Sequence, residues 1–242
     1  MSADTIVPEK AHSPDPIGPT SAEREAGLAL MRAHLPVSRE TVAALDAYAA
    51  LLIKWSRAKN LIGPDTLSRL WTRHIADSAQ VVAVSGIGAG KGEMLGRTCV
   101  DFGSGAGLPG LVMGIFAKGE AENPVHLVES NGRKCAFLRE AARVSGAPVI
   151  VHNKRIEAFT GAFAGKVEIV TARALAPLEK LFALADPLFA DGARAIFHKG
   201  QDVERELTEA ARCWKFDYEL VPSWTRPESA LVVVNACRRR DD

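Results

Sequence analysis

Three things are scarce in this chain of 242 residues, and each scarcity removes a class of protein. No apolar run approaches the roughly 18 residues needed to cross a bilayer, so no membrane-spanning segment is expected. The four cysteines, Cys99, Cys135, Cys213 and Cys237, lie far apart and form no C-x-x-C pair. That spacing argues against a zinc site; the thiols read as reduced and partly buried, and no metal is expected. A surplus of one charge sign is missing too, since 30 Lys and Arg stand against 29 Asp and Glu for a formal charge of +1. The chain is therefore no general magnet for nucleic acid. Any such binding has to come from local patches, or from a structured target that supplies shape as well as phosphates. Met1 to Thr20 holds Pro, Ala and charge but no continuous apolar core, so it reads as a disordered extension, neither signal peptide nor anchor, on a cytoplasmic protein.

What is present is an ordinary globular composition, 47% apolar and 24% charged, enough for one large domain or one domain with a helical extension. From Ser21 to about Ser85 the apolar spacing is helical: Leu28 to Leu35, then Val42 to Trp55, then Leu67 to Val82, separated by Pro36 and by Gly63-Pro64. A glycine-rich stretch, Gly86 to Gly96, changes the texture. After it, β-rich runs alternate with helical ones. Strands are expected at Cys99–Gly103, Val125–Glu129, Val149–His152, Val167–Thr171 and Arg194–Lys199, and helices at Leu108–Ala117, Asn131–Val144, Pro177–Ala190 and Asp202–Cys213. Such alternation predicts a parallel sheet covered on both faces. Tyr218–Val221 and Leu231–Val234 have no room for a helix between them and should pair antiparallel at the sheet edge. No internal repeat is found.

The run Cys99 to Gly110, CVDFGSGAGLPG, reads as a strand entering a glycine-rich turn and then a helix. Glycine at 103, 105 and 107 keeps side chains out of a tight turn and lets the backbone approach a ligand. Pro109 suits the first helical turn, and the free amides of that helix start are expected to face a carboxylate or phosphate. The dinucleotide fingerprint G-x-G-x-x-G would need its third glycine at position 108, which is leucine. The D-x-G-x-G-x-G found instead, opened by Asp101, resembles the loop of class I S-adenosylmethionine (SAM) methyltransferases. Glu129 ends the next strand, where a carboxylate grips ribose hydroxyls in either kind of site. The implied fold is a Rossmann-like, mostly parallel seven-stranded sheet with an antiparallel C-terminal hairpin. It divides into an extension at 1–20, a helical layer at 21–85 and a SAM-binding domain at 86–242.

A narrower resemblance rests on six further runs: Asn131–Leu138, Lys154–Phe159, Thr171–Ala174, His198–Gly200, and in the helical part Asn60-Leu61 and Arg73-His74-Ile75-Ala76-Asp77-Ser78. Together with DFGSGAGLPG they resemble the RsmG family, also called glucose-inhibited division protein B, the guanine-N7 methyltransferases of small-subunit ribosomal RNA. The resemblance covers nearly everything after residue 40. It implies methyl transfer from SAM to a guanine N7 in 16S rRNA, carried by the small subunit or an assembly intermediate, by a protein expected to be a monomer. Guanine N7 presents an unprotonated lone pair, so in-line attack needs alignment and exclusion of water rather than a general base. Gly103, Gly105, Gly107, Leu108, Glu129, Ile156, Glu157 and Arg173 are implied to bind SAM. Arg173 and Lys199 are implied as catalytic and substrate-binding, since basic side chains recognise the O6 and N7 acceptors of guanine. Asn60 is implied to touch the base. Replacing Arg173 is expected to cost rate far more than stability. His74, on the apolar face of its helix, reads as structural, and Asp77 as the intrahelical partner of Arg73. The basic clusters Arg133-Lys134, Arg139 with Arg143, Lys154-Arg155 and Arg238–Arg240 could hold phosphate or simply be solvated faces. Other readings stay open: a SAM methyltransferase acting on a small molecule or protein, a non-catalytic SAM-responsive RNA-binding protein and, last, an NAD oxidoreductase.

Overall fold

The computed structural model describes residues 18–59, 61–85, 97–118 and 124–240. The N-terminal part is helical: α1 (Ser21–Arg32), α2 (Arg39–Lys59), a short α3 (Pro64–Leu67), a π-helical turn (Trp71–Ala76) and α4 (Asp77–Ser85). The third apolar segment read from the sequence is thus broken into an α turn, a π turn and an α-helix. Among the described residues no helix is long and apolar enough to cross a membrane.

The rest is one sheet with helices around it. Strands β1 (Cys99–Phe102), β2 (Val125–Glu129), β3 (Val149–Asn153), β4 (Ile169–Arg173) and β5 (Arg194–Lys199) are parallel, and with β6 (Trp214–Pro222) placed at the edge, β7 (Ala230–Arg239) runs antiparallel to both β5 and β6. Their spatial order is β3-β2-β1-β4-β5-β7-β6, the expected mostly parallel seven-stranded sheet. The closing hairpin is longer than its sequence signal, because Trp214 and Phe216 continue the pairing past a bulge at Asp217/Tyr218 and pack on Phe182. Helices α5 (Gly110–Phe116), α6 (Gly132–Ser145), α7 (Ile156–Thr160), α8 (Leu178–Ala190) and α9 (Val203–Ala210) make the crossovers.

Side chains of the central strands alternate between two apolar layers. Ile169, Ile196, Leu231 and Val233 point into a core shared with α1, α2, α4, α5 and α6, while Val100, Phe102, Val170 and Phe197 point into a core shared with α8. Both faces are covered, which is why these runs are apolar without a polar face. The helical layer is part of the first core: Leu28, Tyr48, Leu52 and Trp71 are packed in it with Leu111 and Phe137. Strand order reverses between β1 and β4, so their crossovers diverge and open a crevice at the carboxyl ends of the strands. The residues that end those strands, Phe102 before Gly103, Glu129, Arg173 and Lys199, border it.

Candidate active site

The glycine loop leaves β1 and bends through three left-handed glycines, Gly103 (φ 63°), Gly105 (φ 54°) and Gly107 (φ 88°). Each has its own reason to lack a side chain. A β-carbon on Gly107 would stand 2.8 Å from Leu111 Cβ, so that glycine lets α5 and α6 close up. One on Gly105 would meet nothing nearer than the Gly103 carbonyl at 3.6 Å, so only the backbone conformation and whatever occupies the open space in front require glycine there. The loop is braced from behind. Tyr48 of α2, fully buried, donates its hydroxyl to the Ala106 carbonyl at 2.7 Å.

Asp101 is also a brace. Its carboxylate accepts from the Thr171 hydroxyl at 2.7 Å and from the Gly110 amide at 3.3 Å, and burial pushes its carboxyl up to about 6 against those hydrogen bonds. This corrects two expectations. Pro109 is the residue before α5, not in its first turn, and the anion at that helix start is the internal Asp101 carboxylate. The amide is thus satisfied inside the protein, so the helix start contributes no free donor at Gly110.

A first cavity of about 310 Å³ opens over the loop. Gly103 and Glu129 line it together with Ile156 and Glu157, which α7 presents. That helix is only five residues long and is held from below by Phe159, stacked on Phe163 at 4.8 Å and edge-on to His152. The Glu129 carboxylate accepts from the Gly105 amide at 3.1 Å and the Asn131 amide at 2.7 Å, one bond on each oxygen. Each oxygen keeps a second lone pair, so the group can anchor the loop and still accept from hydroxyls in the cavity. Gly105, Gly107 and Leu108 are not among the residues that line it, and Leu108 is largely buried. The residues present fit SAM: bare backbone at the turn, a carboxylate for hydroxyls, and an apolar Ile156 for a flat ring.

A second cavity, about 230 Å³, adjoins it, and Ala174 lines both. Ala174 holds a left-handed φ of 49°, rare for a residue with a side chain. Arg173 and Lys199 line the second cavity, beside Arg73, His198, Ser223 and Arg226. The Arg173 guanidinium is buried against the helical layer. One terminal nitrogen donates to the Arg73 carbonyl at 2.8 Å and pairs with Asp77 at 3.1 Å; the other reaches the His74 carbonyl at 3.4 Å and the Ser78 hydroxyl at 3.5 Å. Of its five donors only Nε–H is uncommitted among the described residues. The carbonyls it uses belong to the π turn. Asp77 therefore pairs with Arg173, not with Arg73 as the i, i+4 spacing suggested. The wider winding of the π turn just before it removes the register on which that expectation rested.

Asp77 collects four partners. Its Oδ1 accepts from Ser223 at 3.1 Å and Thr225 at 3.0 Å, and its Oδ2 faces Arg173 and the His198 ring at 3.7 Å. Burial would raise this carboxyl, but His198, Arg173 and the two hydroxyls hold it below its usual range. Burial also pushes His198 down to about 4, outweighing the pull of Asp77. The imidazole is thus neutral at pH 7 and Arg173 is the cation that balances Asp77. Nε2–H of His198 donates to the Asp77 carbonyl at 3.1 Å. Lys199 is committed as well, its ammonium lying 2.6 Å from both the Ala176 carbonyl and the Glu206 carboxylate. One of its three hydrogens remains for the cavity. His74 bonds Thr66 at 2.9 Å, and burial drives it down to about 3. Asn60 lies outside the described residues. Among the described residues no three His, Cys, Asp or Glu side chains converge as metal ligands would.

The same architecture recurs in a putative O-methyltransferase from Klebsiella pneumoniae, with a TM-score of 0.54 at 8% identity over 89% of this chain and 98% of that one. The sequence matches the GidB family, described as rRNA small subunit methyltransferase G, over residues 41–230. The chain belongs to that family. A ribosomal RNA small subunit methyltransferase G of Methylorubrum populi is 48% identical over 205 residues, covering 85% of this chain and 93% of its own. One of Nitrobacter hamburgensis is 43% identical over 240 residues, covering 99% and 86%. In this GidB-family chain, His198, Ser223, Thr225 and Arg226 are the site residues that sequence reasoning did not single out. The only trace of them was His198 inside the quoted H-K-G run, since no spacing links β5 to the turn after β6.

Proposed function

We infer that this chain transfers the methyl group of SAM to N7 of a guanine in the 16S rRNA of the small ribosomal subunit. The observation that carries the reading is the pair of adjoining cavities at the carboxyl ends of β1, β4 and β5, one over the glycine loop and one lined by basic side chains, with Ala174 common to both. SAM supplies an electrophilic methyl group bound to sulfonium. The chain's own work is to hold and align. Gly103 and Gly105 leave the backbone bare, Glu129 accepts from ribose hydroxyls, Ile156 and Glu157 flank the adenine, and Gly107 and Leu108 set the shape of the turn. Arg173 offers Nε–H, and Lys199 its remaining hydrogen, to the acceptors of guanine, with Asn60 as a further base contact. No residue needs to take a proton, because the attacking N7 carries none.

In this reading residues 1–20 stand outside the working part, the layer at 21–85 braces the loop and Arg173, and the domain at 86–242 binds SAM. The protein works as a monomer in the cytoplasm, on the subunit or an assembly intermediate; a net charge of only +1 favours a folded, protein-bearing target over bare RNA. The test is mass-spectrometric mapping of 7-methylguanosine in 16S rRNA from cells with and without the gene, joined to transfer by the purified protein. One 7-methylguanosine that disappears with the gene is expected. Unchanged rRNA with SAM still bound would overturn the reading in favour of a non-catalytic SAM-responsive protein.

A further inference from the structure

The cations around the second cavity are not equally occupied. Arg173 is clamped by Asp77 and the π-turn carbonyls, and Lys199 by Glu206 and Ala176. Arg226 pairs with Glu228 where both side chains are about two-fifths exposed, a contact that water weakens and a ligand can replace. Arg73 has no ion pair among the described residues, and its Nε is buried without a hydrogen-bond partner. Burial and the neighbouring charges of Arg226, Arg69 and Arg173 all disfavour its cationic form, opposed by Asp77 and by the charge of Glu228, both already engaged with other arginines. Cations that outnumber the carboxylates beside them are relieved by an anion from outside.

We propose that Arg73 and Arg226 form a phosphate site at the second cavity, gripping the backbone of the RNA strand that carries the acceptor guanine. The proposal rests on the methyl-transfer reading and adds the substrate contact that reading leaves open. Its geometry is preorganised. The turn after β6 that bears Arg226 is fastened to the helical layer: Gln80 donates to the Pro222 carbonyl at 2.7 Å and accepts from the Trp224 amide at 2.9 Å. Ser223, bonded to Asp77, accepts from the Arg226 amide at 3.2 Å. The carboxylate that clamps Arg173 thus also anchors the Arg226 turn, while Arg73 sits on the π turn whose carbonyls hold Arg173. A phosphodiester held between the two would fix the strand relative to Arg173 without reading its sequence.

The experiment uses the full chain and small ribosomal subunits from cells lacking the gene, with binding and methylation followed across a potassium chloride series. Arg73→Gln and Arg226→Gln should each raise KM for the subunit at least about fivefold. Each should also lessen the slope of log affinity against log salt by about 0.7 to 0.9. Turnover at saturating subunit and calorimetric SAM affinity should stay those of the wild type, the signature of lost uniform binding. Arg194→Gln, at the amino end of β5 and so at the opposite end of the sheet from the cavities, should change none of these. An unchanged KM and salt slope in both variants overturns the site, as does a fall in turnover with the slope intact. If Arg73→Gln disturbs the π turn, seen as a lowered melting temperature, Arg226→Gln alone decides. Failure of the wild type to methylate subunits would strike the function reading instead, while the binding slopes still judge the site.

Discussion

At the scale of single residues, burial changes what a substitution at Arg173 is expected to do. Its side chain is 17% exposed and is the counter-charge of a buried carboxylate, so Arg173→Ala leaves Asp77 with two hydroxyls and a neutral imidazole but no counter-charge, and takes a donor from two π-turn carbonyls. Removing one partner of such a pair costs about 3 to 5 kcal/mol. The sequence-based expectation of a loss in rate alone therefore gives way to a loss in both. Urea unfolding should register the stability loss, and Asp77→Asn added to Arg173→Ala should recover part of it. Single-turnover methylation well below the melting temperature should still fall about 10²-fold in the double variant. Wild-type rate there would reduce Arg173 to a structural clamp. Arg173→Lys should rescue poorly, because an ammonium cannot span two carbonyls, a hydroxyl and a carboxylate as a planar fork does. His198 allows a separate test. Its folded value of about 4 lies below an unfolded value of about 6.5, so its contribution is present above the latter and is lost as pH falls through the former. Between pH 7 and pH 4 the wild type should lose about 3 kcal/mol more than His198→Gln, measured by denaturant unfolding at each pH.

At the scale of elements, the site is assembled by short pieces fastened to longer ones. Glu206 of α9 accepts from the Leu178 amide at 2.7 Å, capping α8, and from Lys199 at the end of β5. One carboxylate thus ties two helices and a strand beside the second cavity. Glu206→Gln can still cap α8 but leaves Lys199, 7% exposed, without its counter-charge. It should lower stability by about 2 to 3 kcal/mol, less than for a fully buried pair because Glu206 keeps some contact with water. Adding Lys199→Met should restore most of it. A urea midpoint that does not move in the single variant would mean the pair contributes nothing. The π turn works in the same manner: its place in the chain is occupied by an apolar face like any helix, and its function lies in the Arg73 and His74 carbonyls that it presents to Arg173.

At the scale of the whole molecule, the helical layer and the sheet are separated in sequence but share one core. Trp71 of the π turn is packed with Leu28, while Trp214 of β6 lies in the core on the other side of the sheet. His34, after α1, stacks on Trp224 of the turn after β6 at 4.2 Å, so the helical layer touches the closing hairpin. Unfolding should therefore be a single transition. Variants retaining only Trp71 or only Trp214 should give coincident fluorescence midpoints, and a layer that melts first would separate them.

The sequence by itself determined the alternation of strands and helices, the glycine loop, the antiparallel ending and the family, because apolar periodicity and left-handed turns are written in neighbouring residues. Glu129, Ile156 and Glu157 were legible as a cavity lining for the same reason: each closes or opens a local element at one end of the sheet. Only the tertiary structure decided the partners of polar side chains. Asp77 meets His198 across 121 positions, Ser223 across 146 and Thr225 across 148, and no local pattern carries that information. A periodicity reports which face of an element is buried. Which charge a buried Arg173 finds, and which cations are left without one, depends on how separate elements dock, and that was settled by packing the helical layer against the sheet.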